Sequence, residues 1–223
     1  ELNRRLAQGR IAEILGPVAL SSDQFIRTLG FGRVVRRELD LLDDHTREVL
    51  EAYVRGINAC VEASRARLPL EFTILGFQPR PWEVTDILAW PKLMALNLSG
   101  NWTSELLNAQ IVARVGAERA AEIAPRYPDE APIAVPAGFQ FPAHLGEHAL
   151  HLAEEAARFT GDSGGSQGSN GWAVGGARTV TGRPLLAEDP HLGIGIPVVF
   201  YAAHLHGGDY HAAGVSFPGS CGI

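Results

Sequence analysis

Residues 168–174 read Gly168-Ser169-Asn170-Gly171-Trp172-Ala173-Val174, and the reading given to Ser169 decides the fold. Upstream lies Thr160-Gly-Asp-Ser-Gly-Gly-Ser-Gln-Gly168, a stretch that no apolar side chain anchors and whose composition suits an accessible linker. Two readings compete. In the first, a Gly/Ser linker simply precedes a strand. In the second, the Gly168–Ser169 bond is cut and Ser169 becomes an N-terminal residue carrying both a nucleophile and a base. An α-amino group titrates near pH 8 (about 7.7–8.0), so part of it is unprotonated at neutral pH and accepts the hydroxyl proton, directly or through one water. Glycine at 168 suits such a bond, since a residue without Cβ takes strained backbone cheaply.

Outward from this stretch, the chain changes character. Leu2, Leu6, Ile11, Ile14 and Leu15 follow helical spacing up to a stop at Gly16-Pro17. Ser21 with Gln24 has the pattern of a capping box, and Asp44 is placed to cap a helix with the apolar face Val49, Tyr53, Ile57, Cys60 and Val61. Residues 68–82 are irregular. A helix opens at Thr85 and is interrupted or kinked at Pro91, and another runs from Ser104 to Val115 and ends at Gly116. The prolines of 125–142 predict a loop, and His144 to Phe159 an amphipathic helix. From Ser169 the period is that of strands. These cover Trp172–Val174, Pro184–Ala187 and a hairpin of Val198–His206 with Tyr210–Val215, turning at Gly207-Gly208-Asp209. So few strands leave edges and an apolar face uncovered, so the sequence is expected to be cut at both ends.

Beyond Ser169 the chain continues Asn-Gly-Trp-Ala-Val-Gly-Gly-Ala-Arg-Thr-Val-Thr-Gly-Arg-Pro-Leu-Leu-Ala-Glu-Asp-Pro-His191-Leu192. This resembles the start of the β-chain in the penicillin acylase family of N-terminal-nucleophile hydrolases, which includes acyl-homoserine-lactone, cephalosporin and aculeacin acylases. The family pattern is Ser-Asn-x-Trp, a small-residue and Arg turn, Gly-(Lys/Arg)-Pro-Leu-Leu-Ala, then Asp-Pro-His-Leu. Upstream, Leu6–Gly16, Leu70–Phe77 with Pro81-Trp82, and Lys92–Trp102 look like the family's α-chain. The resemblance weakens only over 125–168.

The resemblance implies an α+β fold: a mainly helical α-chain portion over 1–159, a spacer over 160–168, and over 169–223 the first strands of an αββα sandwich. It also implies a zymogen that cuts itself between Gly168 and Ser169. The hydroxyl attacks the Gly168 carbonyl, an N-to-O acyl shift gives an ester, and water releases the new terminus. The matured α/β heterodimer would hydrolyse a small N-acyl amide through an acyl-enzyme on Ser169, in antibiotic biosynthesis or quorum quenching. His191 matches a histidine that contacts and orients the nucleophile. Asp189 forms its turn. Met94, Leu98 and Trp102 match positions lining the acyl pocket, although their spacing by four also suits an ordinary core. Glu105 matches a ligand of a structural calcium in some members, against a plain reading as a helix-start acid. The chemistry itself needs no cofactor. The oxyanion donors belong to the rest of the β-chain, so this piece alone is expected to be inactive. A periplasmic or secreted location is the family's usual one.

Two other motifs compete. Gly164-Gly-Ser166-Gln-Gly168 satisfies the Gly-x-Ser-x-Gly elbow, but that elbow needs an apolar strand before it and a helix after it. His204-Leu-His206-Gly-Gly-Asp209-Tyr-His211 is similar to a metallo-hydrolase motif whose spacing it misses by a residue on each side of the Asp. It supports a zinc hydrolase only as an alternative, as does a non-catalytic relative that binds acylated ligands. A net charge of −6 argues against a nucleic-acid partner, and no apolar run approaches the roughly 20 residues that span a bilayer. Two cysteines make no disulfide framework, and Cys60 reads as a small buried hydrophobe.

Overall fold

The computed structural model describes residues 1–99, 101–123, 128, 130–132, 138, 148, 151, 154, 168–192 and 198–222. The chain divides into two units, Glu1–Ser163 and Gly164–Ile223. The loop expected over 125–142, the helix over 144–159 and the spacer lie largely outside the described residues. Among these, His148, His151 and Glu154 are helical.

The first unit is helical. Its helices are α1 (Leu2–Ala7), α2 (Ala12–Leu15), α3 (Leu20–Leu29), α4 (Phe31–Leu41), α5 (Asp44–Ser64), α6 (Leu70–Leu75), α7 (Val84–Leu98), α8 (Trp102–Val115) and α9 (Ala117–Ala121). The first expected helix is split. Arg10 N–H bonds back to Arg5 O at 2.8 Å after α1. Asp23, on α3, then accepts the Ile11 and Ala12 amides at 2.7 and 2.9 Å, capping α2 from a neighbouring helix. Gly16-Pro17 ends the α-helix as expected, α2 stopping at Leu15 with Gly16 as its C-cap at φ 72°, and Pro17 then sits in the first turn of a 3₁₀ segment, Gly16–Ala19, where its missing N–H costs nothing. That segment already satisfies the Leu20 amide, through Pro17 O, so α3 starts without the Ser21 box.

α7 is the hub of this unit, packing against α1, α4 and α5. It opens with a capping box made by Glu83 and Asp86, just ahead of the expected Thr85. It also runs unbroken through Pro91, where buried Trp90 and Leu93 on either side hold it in place. Ile87 meets Leu50 and Val54 of α5, with Leu42, Tyr53, Ile57, Trp82, Val84 and Leu88 around them. That seam corrects the face read from sequence. Val49 is 43% exposed and Cys60 is exposed, because at 100° per residue Cys60 lies about 80° around the helix from Leu50. The cap of α5 is Asp43 rather than Asp44, and Asp43 accepts the Thr46 amide at 2.9 Å.

Trp82 is fastened twice to α5. Its N–H donates to Asn58 Oδ1 at 2.7 Å and its carbonyl accepts from Asn58 Nδ2 at 3.0 Å. The Arg4 guanidinium lies 5.1 Å from its ring centroid. Arg4 also donates to Pro81 O at 2.9 Å, Asp86 Oδ2 at 3.2 Å and Glu1 Oε1 at 2.8 Å, so one buried cation ties α1 to the segment that starts α7.

The second unit holds two antiparallel pairs: β1 (Gly168–Val174) with β2 (Leu185–His191), and β3 (Tyr201–Gly207) with β4 (Tyr210–Ser216). β1 starts four residues before the expected strand, at the proposed cleavage bond. β2 runs on through His191, which therefore ends the strand rather than following it in a turn. The hairpin turns at Gly208-Asp209, and beyond its ends Phe200 and Phe217 pack with ring centroids 4.7 Å apart. No helix among the described residues is long and apolar enough to cross a membrane.

Candidate active site

β1 and β2 pair residue for residue: Gly168 with His191, Ser169 with Pro190, Asn170 with Asp189, Gly171 with Glu188 and Trp172 with Ala187. The connection between them is closed tightly. A Cβ on Gly176 would lie 2.3 Å from Gly182 O, so only glycine fits there. The Thr179 hydroxyl donates to Arg183 O at 2.7 Å across the same turn.

This pairing puts Ser169 at the outer end of an exposed strand pair. Its hydroxyl donates to the carbonyl oxygen of Gly168 at 2.7 Å, so the nucleophilic oxygen is held beside the carbonyl it would attack. Gly168 is not among the glycines with positive φ. The strain expected at the bond is therefore not found, because strand pairing keeps the backbone extended.

The fold brings His191 back to the start of β1, opposite Gly168. Directly paired residues share a face and successive residues alternate, so Ser169 and His191 project to opposite faces of the pair. The imidazole turns instead onto Asp189: Nδ1 lies 2.8 Å from the Asp189 carbonyl oxygen and Nε2 3.7 Å from Oδ2. A carbonyl only accepts, so Nδ1 carries the hydrogen, and in the neutral form of the ring the lone pair is on Nε2. Glu188, which sequence reasoning missed, shares Ser169's face. The signal was there once the register was known, since Glu188 is the partner of Gly171.

In the helical unit the other candidates have separate surroundings. Met94 is half-buried on α7 and Leu98 is 56% exposed at its end. Trp102 begins α8, a different helix, so the spacing by four does not carry across. Its ring stacks on Phe25 with centroids 5.4 Å apart. Glu105 is exposed in the first turn of α8 and accepts from Asn101 Nδ2 at 3.0 Å. One exposed carboxylate does not fit a cation that takes six to eight oxygens.

His204, His206 and His211 do gather on one face of the β3–β4 hairpin. His204 and His211 place their Nε2 atoms 2.7 Å apart, and the His206 and His211 rings lie 5.0 Å apart. Two of the three thus form a hydrogen-bonded pair. Among the described residues no group of three or more His, Cys, Asp or Glu is disposed to hold a metal ion. Cys60 and Cys221 are free and exposed.

A serine that opens an antiparallel pair after a glycine, with Asp-Pro-His at the end of the partner strand, points to the amide-cleaving acylases. The sequence pattern of one family, penicillin amidase, matches residues 1–223, and the chain belongs to that family. It is 37% identical over 232 residues to the penicillin acylase 2 proenzyme of Pseudomonas sp. (strain SE83), covering 100% of this chain and 29% of that protein. It is 32% identical to the acyl-homoserine lactone acylase QuiP of Pseudomonas aeruginosa, covering 99% of this chain and 26% of that protein. A shorter match, 30% identical over 117 residues, covers 50% of this chain and 14% of the penicillin G acylase of Escherichia coli. The chain thus spans less than a third of these relatives.

Proposed function

We propose that the chain is the part of an acylase precursor that contains the bond it cuts, and that Ser169, once freed, hydrolyses linear N-acyl amides. The observation that carries this is the Ser169 hydroxyl, 2.7 Å from the Gly168 carbonyl oxygen at the first residues of β1. Attack by Oγ on the Gly168 carbonyl carbon breaks the C–N bond to Ser169 and leaves an ester. Water hydrolyses it, giving a Gly168 carboxylate and a free Ser169 amine. In the matured enzyme the same oxygen attacks the substrate amide, the amine leaves, and water releases the acyl group. The remaining β-chain completes the αββα sandwich and supplies the oxyanion donors.

The register gives His191 its part in this reading. It faces Gly168, so departure of Gly168 leaves the new Ser169 amino group at the end of β1 that His191 pairs with. A neutral ring with Nε2 free accepts a hydrogen bond from the amine and orients it toward the hydroxyl. The amide class is supported by the relatives named as penicillin and acyl-homoserine lactone acylases. The periplasmic or secreted location rests on the resemblance alone.

Intact-mass analysis of the full-length protein and its Ser169→Ala variant tests the reading. Two chains from the wild type, one beginning at Ser169, and a single chain from the variant are expected. A folded, uncut wild type that releases no amine from N-acyl substrates would overturn it in favour of a ligand-binding scaffold.

A further inference from the structure

Resting on Ser169 as the self-cleaving nucleophile, we propose that Glu188 accepts the Ser169 hydroxyl proton in the uncut chain and returns it to the departing nitrogen. The proposal answers a gap in the chemistry. Before cleavage the Ser169 nitrogen is an amide with no basic lone pair, so the base that serves the mature enzyme does not yet exist. Another group has to take the proton.

The pairing of β1 and β2 selects that group. One face carries Ser169, Gly171 and Ala173 with Pro190, Glu188 and Leu186; the other carries Asn170 and Trp172 with Asp189, Ala187 and His191. Asp189 and His191 are therefore on the far face and bound to each other. Arg178 and Arg183 belong to the connection between the strands. Glu188 is the one acid–base side chain on the nucleophile's face of this described pair.

Its position is fixed by what Gly171 lacks. Glu188 Oε2 lies 2.9 Å, and Oε1 3.2 Å, from the point that a Cβ on Gly171 would occupy. The carboxylate thus lies folded over Gly171, two residues along the strand from Ser169, or about 7 Å. A turn of the glutamate side chain and one bridging water span that gap. The proton leaves Oγ for the carboxylate as Oγ bonds to the Gly168 carbon. The carboxylic acid then protonates the Ser169 nitrogen as the C–N bond breaks, so the charge balances and no other reactant is needed until water opens the ester.

The test follows cleavage of freshly synthesised full-length precursor by intact mass across pH. Wild-type cleavage is expected to slow in acid. Glu188→Gln should cleave about 100-fold more slowly, within the range typical of lost acid–base assistance, and lose that acid dependence. Glu188→Ala should be partly rescued by added formate, and Glu188→Asp should restore part of the rate. Gly171→Ala keeps the carboxylate but puts a methyl in its place, and should slow cleavage about tenfold.

Cleavage of Glu188→Gln within threefold of wild type overturns the inference. So does slow cleavage that retains the wild-type pH profile and ignores formate, since that marks a structural role. A folded wild type that stays uncut overturns the underlying reading of Ser169, and this inference with it.

Discussion

Replacing Asn58 with Ala removes both hydrogen bonds that fasten Trp82 to α5, and the structure sets the size of the effect. The two bonds, 2.7 and 3.0 Å long, are each worth about 1 kcal/mol net. Trp82 is half-buried, so water can reach its freed amide and carbonyl, and the full penalty for stranded buried groups does not apply. Against the loss stands the better helix propensity of Ala within α5, up to about 0.7 kcal/mol. The balance is about 1.3 kcal/mol, or roughly tenfold in a local opening equilibrium.

Native-state hydrogen exchange on the full-length protein reads this directly, because the Trp82 amide is itself the donor to Asn58. Its protection should fall about tenfold, with a smaller loss at Glu83, while the amides of α4 stay unchanged. Asn58→Asp separates the two bonds. The carboxylate still accepts the Trp82 amide but sets an oxygen against the Trp82 carbonyl, so it should loosen the segment at least as much as Ala. Unchanged Trp82 protection in Asn58→Ala would refute the reasoning and leave the Arg4 contact and the core around Ile87 as the real fastening.

Two further outcomes follow from the same geometry. Burial pushes the Asp86 carboxyl up from its ordinary 3.8, against the pull of the Glu83 amide and the Arg4 charge. The folded chain therefore binds that proton more tightly than the unfolded one, and stability should fall as pH rises from about 3.8 to the raised value, then level off. Asp86→Asn should flatten that slope in an acid denaturation series; a slope that persists would assign it to other groups. His191→Ala should lower kcat/KM for amide hydrolysis about 100-fold while slowing self-cleavage far less, because the imidazole faces Gly168 and not the Ser169 hydroxyl. Equal loss in both, measured by substrate turnover and by intact mass, would remove that distinction.

The helices were legible where local chemistry fixes them. Gly116 ends α8 as its pattern requires, with φ at 83°. Asp44 was the cap read from sequence, and the extended backbone at Asp43 with its bond to the Thr46 amide puts the cap one residue earlier. The cap of α2 was not legible, since Asp23 reaches it from another helix, and neither was the Arg4–Asp86 pair, 82 residues apart in sequence. The strands β1 and β2 show no alternation of burial, every residue being exposed. Periodicity could not delimit them, so Ser169 and His191 were read from motif resemblance, and Glu188, whose face depends on the register, was not singled out. Met94, Leu98 and Trp102 looked like one stripe because spacing by four assumes one continuous helix, and the chain changes helix between Leu98 and Trp102.

Register is what turns these residues into chemistry. A slip of one position between β1 and β2 would exchange faces, bringing His191 beside the hydroxyl and sending Glu188 away. Two features oppose the slip. Gly176 admits no Cβ against Gly182 O, which fixes the length and path of the connection, and Gly171 leaves the space that the Glu188 carboxylate fills. On the proposed reading, glutamate serves the face where an uncut serine needs a base, and histidine the face exposed when Gly168 leaves. On that reading the change of partner would follow from cleavage alone, with the register of the two strands unchanged.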